Sequence, residues 1–271
     1  MSVKHPQEMQ EQAREFWEQG FLVVRKAFTP EEMSVVRDVV RNHAEMSATA
    51  DSAKAHSATG EGRPSFATLF VWNDTAGNDI FAKATRSHKI VDRLEAIFGD
   101  EVYVYHNKVA LKYPGVVGFS YHQDYAYWYK MGNLFPDMAS VFIAVDRATK
   151  ANGCLKVIAG SHKLGRLDHV ERGYGDSGVD PERLAQVLKV MPEVDLELES
   201  GDIALFHCNT LHASDDNRSA DARLALLGCF NTRHNNPYLS VHGHPHWHKQ
   251  EKVVDPITRG DMNNLPKFER G

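Results

Sequence analysis

The chain is poor in cysteine, has no surplus of positive charge and contains no long apolar run, and each shortage removes a class of protein. Only three cysteines, Cys154, Cys208 and Cys229, occur among 271 residues. They are odd in number, far apart and without a CxxC spacing, so neither a disulfide framework nor a zinc ribbon is expected. They read as reduced thiols. The formal net charge of -5 gives no basic field for nucleic acid or an anionic membrane. No stretch supplies the roughly 20 apolar residues of a spanning helix, and the N-terminal MSVKHPQEMQEQAREFW is polar where a signal peptide needs an apolar centre. The expectation is a cytoplasmic protein that engages neither nucleic acid nor membrane, with its oligomeric state left open.

What is present suits a buried core: 42% of the residues are hydrophobic. EMQEQAREFWEQG reads as an amphipathic helix ending at Gly20, and FLVVR as a short strand. TPEE then places Thr29 at an N-cap, Pro30 at the first helical position and Glu32 three residues after the cap, a capping-box start for a helix to about Met46. Residues 47–62 are small, polar and aperiodic, so they read as a surface loop, with a lid as the sharper alternative. From Pro64 onward short strands dominate: SFATLFVW, EVYVYHNKVALKY, MASVFIAVD, CLKVIAG, VDLELE, DIALFH and RLALLGCFN. HKIVDRLEAIFG precedes most of them as a helix, and DPERLAQVLKV interrupts them as another. The pattern predicts one domain over 1–271, mainly β with flanking helices: a helical part at 1–62, a sandwich or barrel core at about 64–235 and a C-terminal extension at 236–271.

YHQDYAYWY sets His122 and Asp124 two residues apart, on one face if that segment is extended. A third ligand comes from LHAS, at His212. Arg223 lies eleven positions further on, which suits a hairpin that returns the arginine beside His212. Two histidines and one carboxylate on one side of a metal leave its other positions open, the arrangement of non-haem Fe(II) oxygenases. Open positions admit a bidentate 2-oxo acid and then O2. The far carboxylate of such a co-substrate needs a planar charged fork, which Arg223 offers, and Ser214 can add a hydroxyl donor.

Together, His122-Gln123-Asp124, NGCLKVIAGSHK at Asn152 to Lys163, Gly201-Asp202 and HASDDNRSADAR at His212 to Arg223 resemble the phytanoyl-CoA dioxygenase family, which includes ectoine hydroxylase. The resemblance covers roughly Phe21 to Phe230. It implies a double-stranded β-helix (jelly roll, cupin-like) with Fe(II) on His122, Asp124 and His212, and 2-oxoglutarate on Arg223 and Ser214. The implied activity is hydroxylation of a small polar molecule, such as an amino acid derivative, a phosphonate or a natural-product intermediate, with release of succinate and CO2. Trp128, six residues after the first histidine, is similar in position to a substrate-pocket tryptophan, and Tyr125 and Tyr127 join it as expected walls of the substrate site. Ala110 stands where ectoine hydroxylase has an asparagine near the co-substrate, so ectoine is not the expected substrate. Period two turns Lys108 to the same face as Ala110 and Lys112, where it can bind an acidic substrate group or the co-substrate, unless it snorkels to solvent.

Three motifs compete with this reading. HGHPHWH alternates four histidines, His242 to His248, but has no carboxylate or thiolate; a segment folded over the barrel mouth is expected. GYGDSGVD looks like a serine-protease fragment around Ser177 but lacks partnered His and Asp. His207, at an odd spacing from His212 on a straight strand, belongs on the opposite face. The rival function classes are a non-catalytic jelly roll and a zinc-dependent one, which leaves Arg223 without a role.

Overall fold

The computed structural model describes residues 6–42, 68–72, 79–173, 176–239, 248–249 and 252–265. The expected loop at 47–62 and all of the HGHPHWH run except His248 lie outside these. Helix α1 (Gln7–Gln19) ends at Gly20, whose φ of 81° is the left-handed value that glycine adopts without a Cβ clash. Strand β1 (Phe21–Val24) follows, then α2 (Pro30–Asn42). Its capping box is formed as expected. The Thr29 N–H donates to Glu32 Oε2 at 2.8 Å and the Glu32 N–H to Thr29 Oγ1 at 3.2 Å. Two further helices, α3 (Ile80–Thr85) and α4 (His88–Phe98), are capped by Asp79 and Ser87. The sequence reading missed α3, a six-residue helix too short to show a period.

Seven strands form the larger sheet. They are β1, β2 (Thr68–Trp72), β3 (Val102–Lys112), β5 (Ala139–Ala144), β10 (Ile203–His207), β12 (Arg223–Thr232) and β13 (His248–Lys249), all paired antiparallel. Their order is β1-β10-β5-β12-β3-β13, with β2 also on β3. The smaller sheet has the order β4-β11-β6-β9, from β4 (Phe119–His122), β6 (Leu155–Ile158), β9 (Glu193–Leu196) and β11 (His212–Ser214). A separate hairpin pairs β7 (His169–Gly173) with β8 (Asp176–Val179), which places the discounted Ser177 motif. The remaining helices are α5 (Asp124–Lys130) and α6 (Pro181–Val190).

Alternation sorts the core into two layers. On one face of the larger sheet Val141, Ile143, Ile203, Leu205, Leu224 and Leu226 pack with Phe16, Met33, Val36 and Leu94 of the helices. On its other face Phe142, Ala144, Ala204, Phe206 and Ala225 meet Leu155, Val157 and Leu196 of the smaller sheet. Both faces of β5 and β10 are therefore covered, and their residues are buried throughout. Each buried phenylalanine of this layer contributes about 2–3 kcal/mol. The fold is the expected jelly roll flanked by helices. Among the described residues no helix is long and apolar enough to cross a membrane.

The motif segments of the sequence are structural devices. The turn after β6 meets the C-terminus of α1, where carbonyls have no partner within the helix. Gly160 N–H donates to Gln19 O at 2.7 Å, His162 Nε2 to Trp17 O at 3.0 Å and Lys163 Nζ to Glu18 O at 2.8 Å. GSHK is thus a cap for a distant helix. Gly201, at φ 92°, leaves no space for a Cβ against Phe28 O, and the Asp202 carboxylate accepts from the N–H groups of Lys26 and Glu199 and from Arg25. Asn152 closes its own turn by accepting from Thr149 N–H and donating to Arg147 O.

Candidate metal and co-substrate site

Strands β4 and β11 lie side by side with His122 and His212 as register partners, so their imidazoles face each other with ring centroids 4.1 Å apart. Asp124 arrives differently from the expectation. The chain is extended only as far as Gln123, at φ −117° and ψ 133°, and Asp124 opens helix α5. One extended residue still swings its carboxylate back to the histidines. Asp124 Oδ1 lies 3.8 Å from His212 Nε2, and ligand atoms of His122, Asp124 and His212 all fall within 4.8 Å of one another.

The buried Gln123 between the ligands ties this corner together. Its side-chain amide donates to Gly165 O at 2.8 Å and Asn209 O at 2.7 Å, and its oxygen accepts from Leu167 N–H. Each histidine is fixed by its own strand. His122 Nδ1 pairs with Ser120 O at 2.7 Å and His212 Nδ1 with Thr210 O at 3.0 Å. A carbonyl accepts only from N–H, so Nδ1 carries a proton in each ring and Nε2 is the atom turned toward a cation. Burial and the neighbouring His122 push His212 down to about 4, which keeps it neutral, as a ligand must be. Burial alone would raise the Asp124 carboxyl, but His212, His122, Lys108 and the Ser140 hydroxyl, which donates to Asp124 Oδ2 at 2.5 Å, hold it below the usual range. With Oδ2 engaged, Oδ1 is the atom left for a cation. The donor set fits a divalent metal: two imidazoles and an ionised carboxylate, each oriented by a partner of its own.

Beside the triad lies a cavity of about 120 Å³ between the two sheets. Its apolar walls are Phe119, Phe142, Leu155, Phe206 and Leu227, and Arg223, Ser214, Lys108, Ser140 and Cys229 supply its polar groups. Arg223 is buried, with Nη1 donating to Gly153 O and the guanidinium 5.4 Å from the centroid of the Phe142 ring. Its Nε has no hydrogen-bond partner. A buried cation with an orphaned donor calls for an anion. Ser214 is set up to supply a second donor: its oxygen accepts from Lys112 Nζ at 3.0 Å and from Phe119 N–H at 3.3 Å, so its own proton is free for a ligand.

Lys112, opposite Arg223 in the β3–β12 register, is fully buried. Burial first, and then the Arg223 charge, lowers it to about 7. The sequence reading placed Lys112 on the cavity face of β3 but gave it no role, because nothing in a period-two pattern shows that a second cation sits behind the first.

Several expectations need correction. His212 and Arg223 do not form a hairpin pair: β11 pairs with β4 and β6, whereas β12 pairs with β3 and β5. They face one cavity from opposite sheets, which the eleven-residue spacing allows because the connecting turn crosses the sandwich. His207 and His212 are on separate strands, and His207 packs against Trp17 and Phe16 of α1 with ring centroids 5.4 and 6.2 Å away. Trp128, Tyr125 and Tyr127 do not line the cavity. Helix α5 turns Tyr125 and Trp128 into a cluster with Tyr105 and Met138, while Tyr127 stands at the rim, its ring 6.2 Å from His122 and its hydroxyl paired with Ser177 Oγ at 2.8 Å. Lys108 and Ala110 do face the cavity, as period two required.

A jelly roll that gathers two imidazoles and one carboxylate beside a cavity ending in a buried guanidinium defines the class of 2-oxo-acid-dependent non-haem iron oxygenases. The profile described as phytanoyl-CoA dioxygenase (PhyH) matches residues 16–225. The chain belongs to that family. A probable alpha-ketoglutarate-dependent hypophosphite dioxygenase of Stutzerimonas stutzeri is 27% identical, over 80% of this chain and 76% of that protein. An ectoine dioxygenase of Streptomyces coelicolor is 30% identical, but over only 58% of this chain and 57% of its own length. Among solved structures, EctD from S. alaskensis with bound Fe superposes with a TM-score of 0.72 at 18% identity, covering 94% of this chain and 92% of that one.

Proposed function

We propose that this protein binds Fe(II) through His122, Asp124 and His212 and, with 2-oxoglutarate and O2, hydroxylates a small polar molecule, releasing succinate and CO2. The observation that carries this is the pairing of an oriented ligand triad with a buried, incompletely bonded Arg223 across one cavity. Bound iron and 2-oxo acid would supply O2 activation and C–H oxidation.

The chain supplies position, charge and dryness. Ser120 and Thr210 carbonyls aim the two Nε2 atoms, and Ser140 holds Asp124 to a single donating oxygen. Arg223 Nε and the Ser214 hydroxyl receive the far carboxylate of the co-substrate, a charge-assisted arrangement that strengthens in the absence of water. Phe119, Phe142, Leu155 and Phe206 exclude water around it. The presence of Asp124, rather than a small residue that leaves room for halide, favours hydroxylation over halogenation. A zinc or non-catalytic role would leave the buried Arg223 Nε without use. The three cysteines are free and buried, in keeping with a reducing cytoplasmic setting.

Anaerobic addition of Fe(II) and 2-oxoglutarate is expected to raise a weak visible charge-transfer band. Asp124→Ala should abolish both the band and succinate formation. Turnover retained in that variant would overturn the ligand assignment.

A further inference from the structure

A second cation stands behind the anchor for the co-substrate. Lys112 faces Arg223 across the β3–β12 register, is fully buried and does not line the cavity. Its nitrogen donates to Ser214 Oγ at 3.0 Å and to the Asp215 carbonyl. These are its two acceptors among the described residues, enough for the two N–H groups of a neutral amine and one short for an ammonium. The packing is close on the other side as well. A Cβ on Gly153, whose carbonyl holds Arg223, would stand 2.7 Å from Lys112 Nζ.

The charges around this amine oppose its protonation until an anion enters. Arg223 faces it from β12. On the turn after β11, Asp215 pairs its carboxylate with Lys156 at 3.4 Å, and Asp216 accepts from the Gly118 N–H at 2.9 Å and pairs with Arg218 at 3.9 Å. Neither acid is committed to Lys112. Cys154, at the start of β6, is a neutral thiol that burial pushes up to about 11. Lys108 is four residues back along β3, roughly 13 Å at about 3.3 Å per residue. Burial first and Arg223 second therefore lower Lys112 to about 7, with the two acids only partly offsetting them. At neutral pH the group is divided between amine and ammonium.

We infer that Lys112 is a positioning residue for the co-substrate: the far carboxylate of 2-oxoglutarate, held on Arg223 and Ser214, draws one proton from solvent onto the Lys112 amine, so that the dianion enters together with a proton. This rests on the iron and 2-oxoglutarate reading of the site. The link runs through Ser214. Its hydroxyl gives its proton to the carboxylate, which makes Oγ a stronger acceptor for Lys112, and an ammonium in turn makes the hydroxyl a stronger donor. The carboxylate also offsets the Arg223 charge that opposes protonation. The proton joins the amine lone pair, and no other bond forms or breaks. Lys112 touches no ligand; it tunes the two groups that do. Below about 7 both free and loaded proteins carry the ammonium, and above it the free protein has lost a proton that the loaded one keeps, so affinity falls as pH rises.

The test uses the full chain loaded anaerobically with Fe(II) and titrated with 2-oxoglutarate, read by the charge-transfer band between about pH 6.5 and 9. The dissociation constant of the unsubstituted protein should stay level to about pH 7 and then rise by about tenfold or more. In Lys112→Met it should be about tenfold or more weaker at the acid end and vary by less than about threefold, so that the two curves converge at the alkaline end. A merely structural role would shift affinity by one factor at every pH. Calorimetry near pH 8 in buffers of different ionisation enthalpy counts the proton directly: about half a proton or more taken up per 2-oxoglutarate by the unsubstituted protein, and about none by the variant. Parallel pH curves for the two proteins, or binding without proton uptake, overturn the inference. So does a Lys112→Met protein that binds 2-oxoglutarate at the acid end as tightly as the unsubstituted one. Failure of the underlying reading looks different and takes the inference with it: the unsubstituted protein shows neither band nor binding heat at any pH.

Discussion

Lys112→Met should make this protein more stable at neutral pH, by a margin that shrinks as pH rises. Lys112 is fully buried, and its ammonium donates to Ser214 Oγ and to Asp215 O. Its proton leaves at about 7 instead of the ordinary 10.5, because burial and then Arg223 oppose the charge, and the nearby Asp215 and Asp216 only partly offset them. The depression of about 3.5 units corresponds to about 5 kcal/mol of destabilisation wherever both states are protonated. Loss of the two hydrogen bonds in the variant returns about 1 kcal/mol each. The methionine protein should therefore be the more stable by roughly 3 kcal/mol near pH 6.5.

Between about 7 and 10.5 the unfolded chain binds at Lys112 a proton that the folded chain does not, so the contribution of Lys112 to the unfolding free energy rises with pH across that window. From about pH 7 to about pH 9.5 the unsubstituted protein should gain about 3 kcal/mol on the variant. Burial pushes Cys154 up to about 11 and raises Cys208 and Cys229 too, so ionisation of these thiols in the unfolded chain lowers alkaline stability equally in both proteins and cancels in the comparison. Urea midpoints measured on both proteins at closely spaced pH give the difference directly. Parallel pH curves would refute the reasoning, since they would mean that Lys112 gives up its proton at the same pH in both states.

Ser140→Ala frees Asp124 Oδ2 and should weaken Fe(II) binding about 10–100-fold in a metal titration, with the fold unchanged. Arg223→Lys keeps the charge but loses the fork; the dissociation constant for 2-oxoglutarate should rise about 10–100-fold while Fe(II) affinity stays the same. Gly153→Ala puts a Cβ against Asp215 O and 2.7 Å from Lys112 Nζ at a φ of 69°. It should lower the unfolding free energy by about 1–3 kcal/mol and, by moving the carbonyl that holds Arg223, raise the KM for 2-oxoglutarate. Thr29→Ala removes one half of the capping box and should cost about 1 kcal/mol in chemical denaturation, with no effect on either ligand.

The elements most legible in the sequence were those whose signal is local. Thr29 to Glu32 announced the start of α2, Gly20 the end of α1, and the short β-rich runs MASVFIAVD and DIALFH the strands β5 and β10. The metal ligands were legible because their chemistry is specific, although the geometry expected for Asp124 was not: a helix start after one extended residue does what a straight strand was expected to do. Pairing between strands was the part that stayed hidden. Whether His212 and Arg223 share a hairpin or face each other across a sandwich depends on contacts of long sequence separation, which no spacing along one chain encodes. The same limit explains Tyr125 and Trp128, whose burial behind the site follows from the rotation of α5, and Lys112, whose neighbours come from β11 and β12.

The first helix has a lever on the iron site. The carbonyl that aims His212 belongs to Thr210, whose hydroxyl is anchored at 2.6 Å to Gly20 O, 190 residues earlier in the chain. The next N–H, of Leu211, is held by Ser161 of the turn that caps the same helix. Anything that rocks the α1–β1 corner, whether a bound protein or a trimmed N-terminus, can therefore reach the ligand field of the metal from outside, without a single atom entering the cavity.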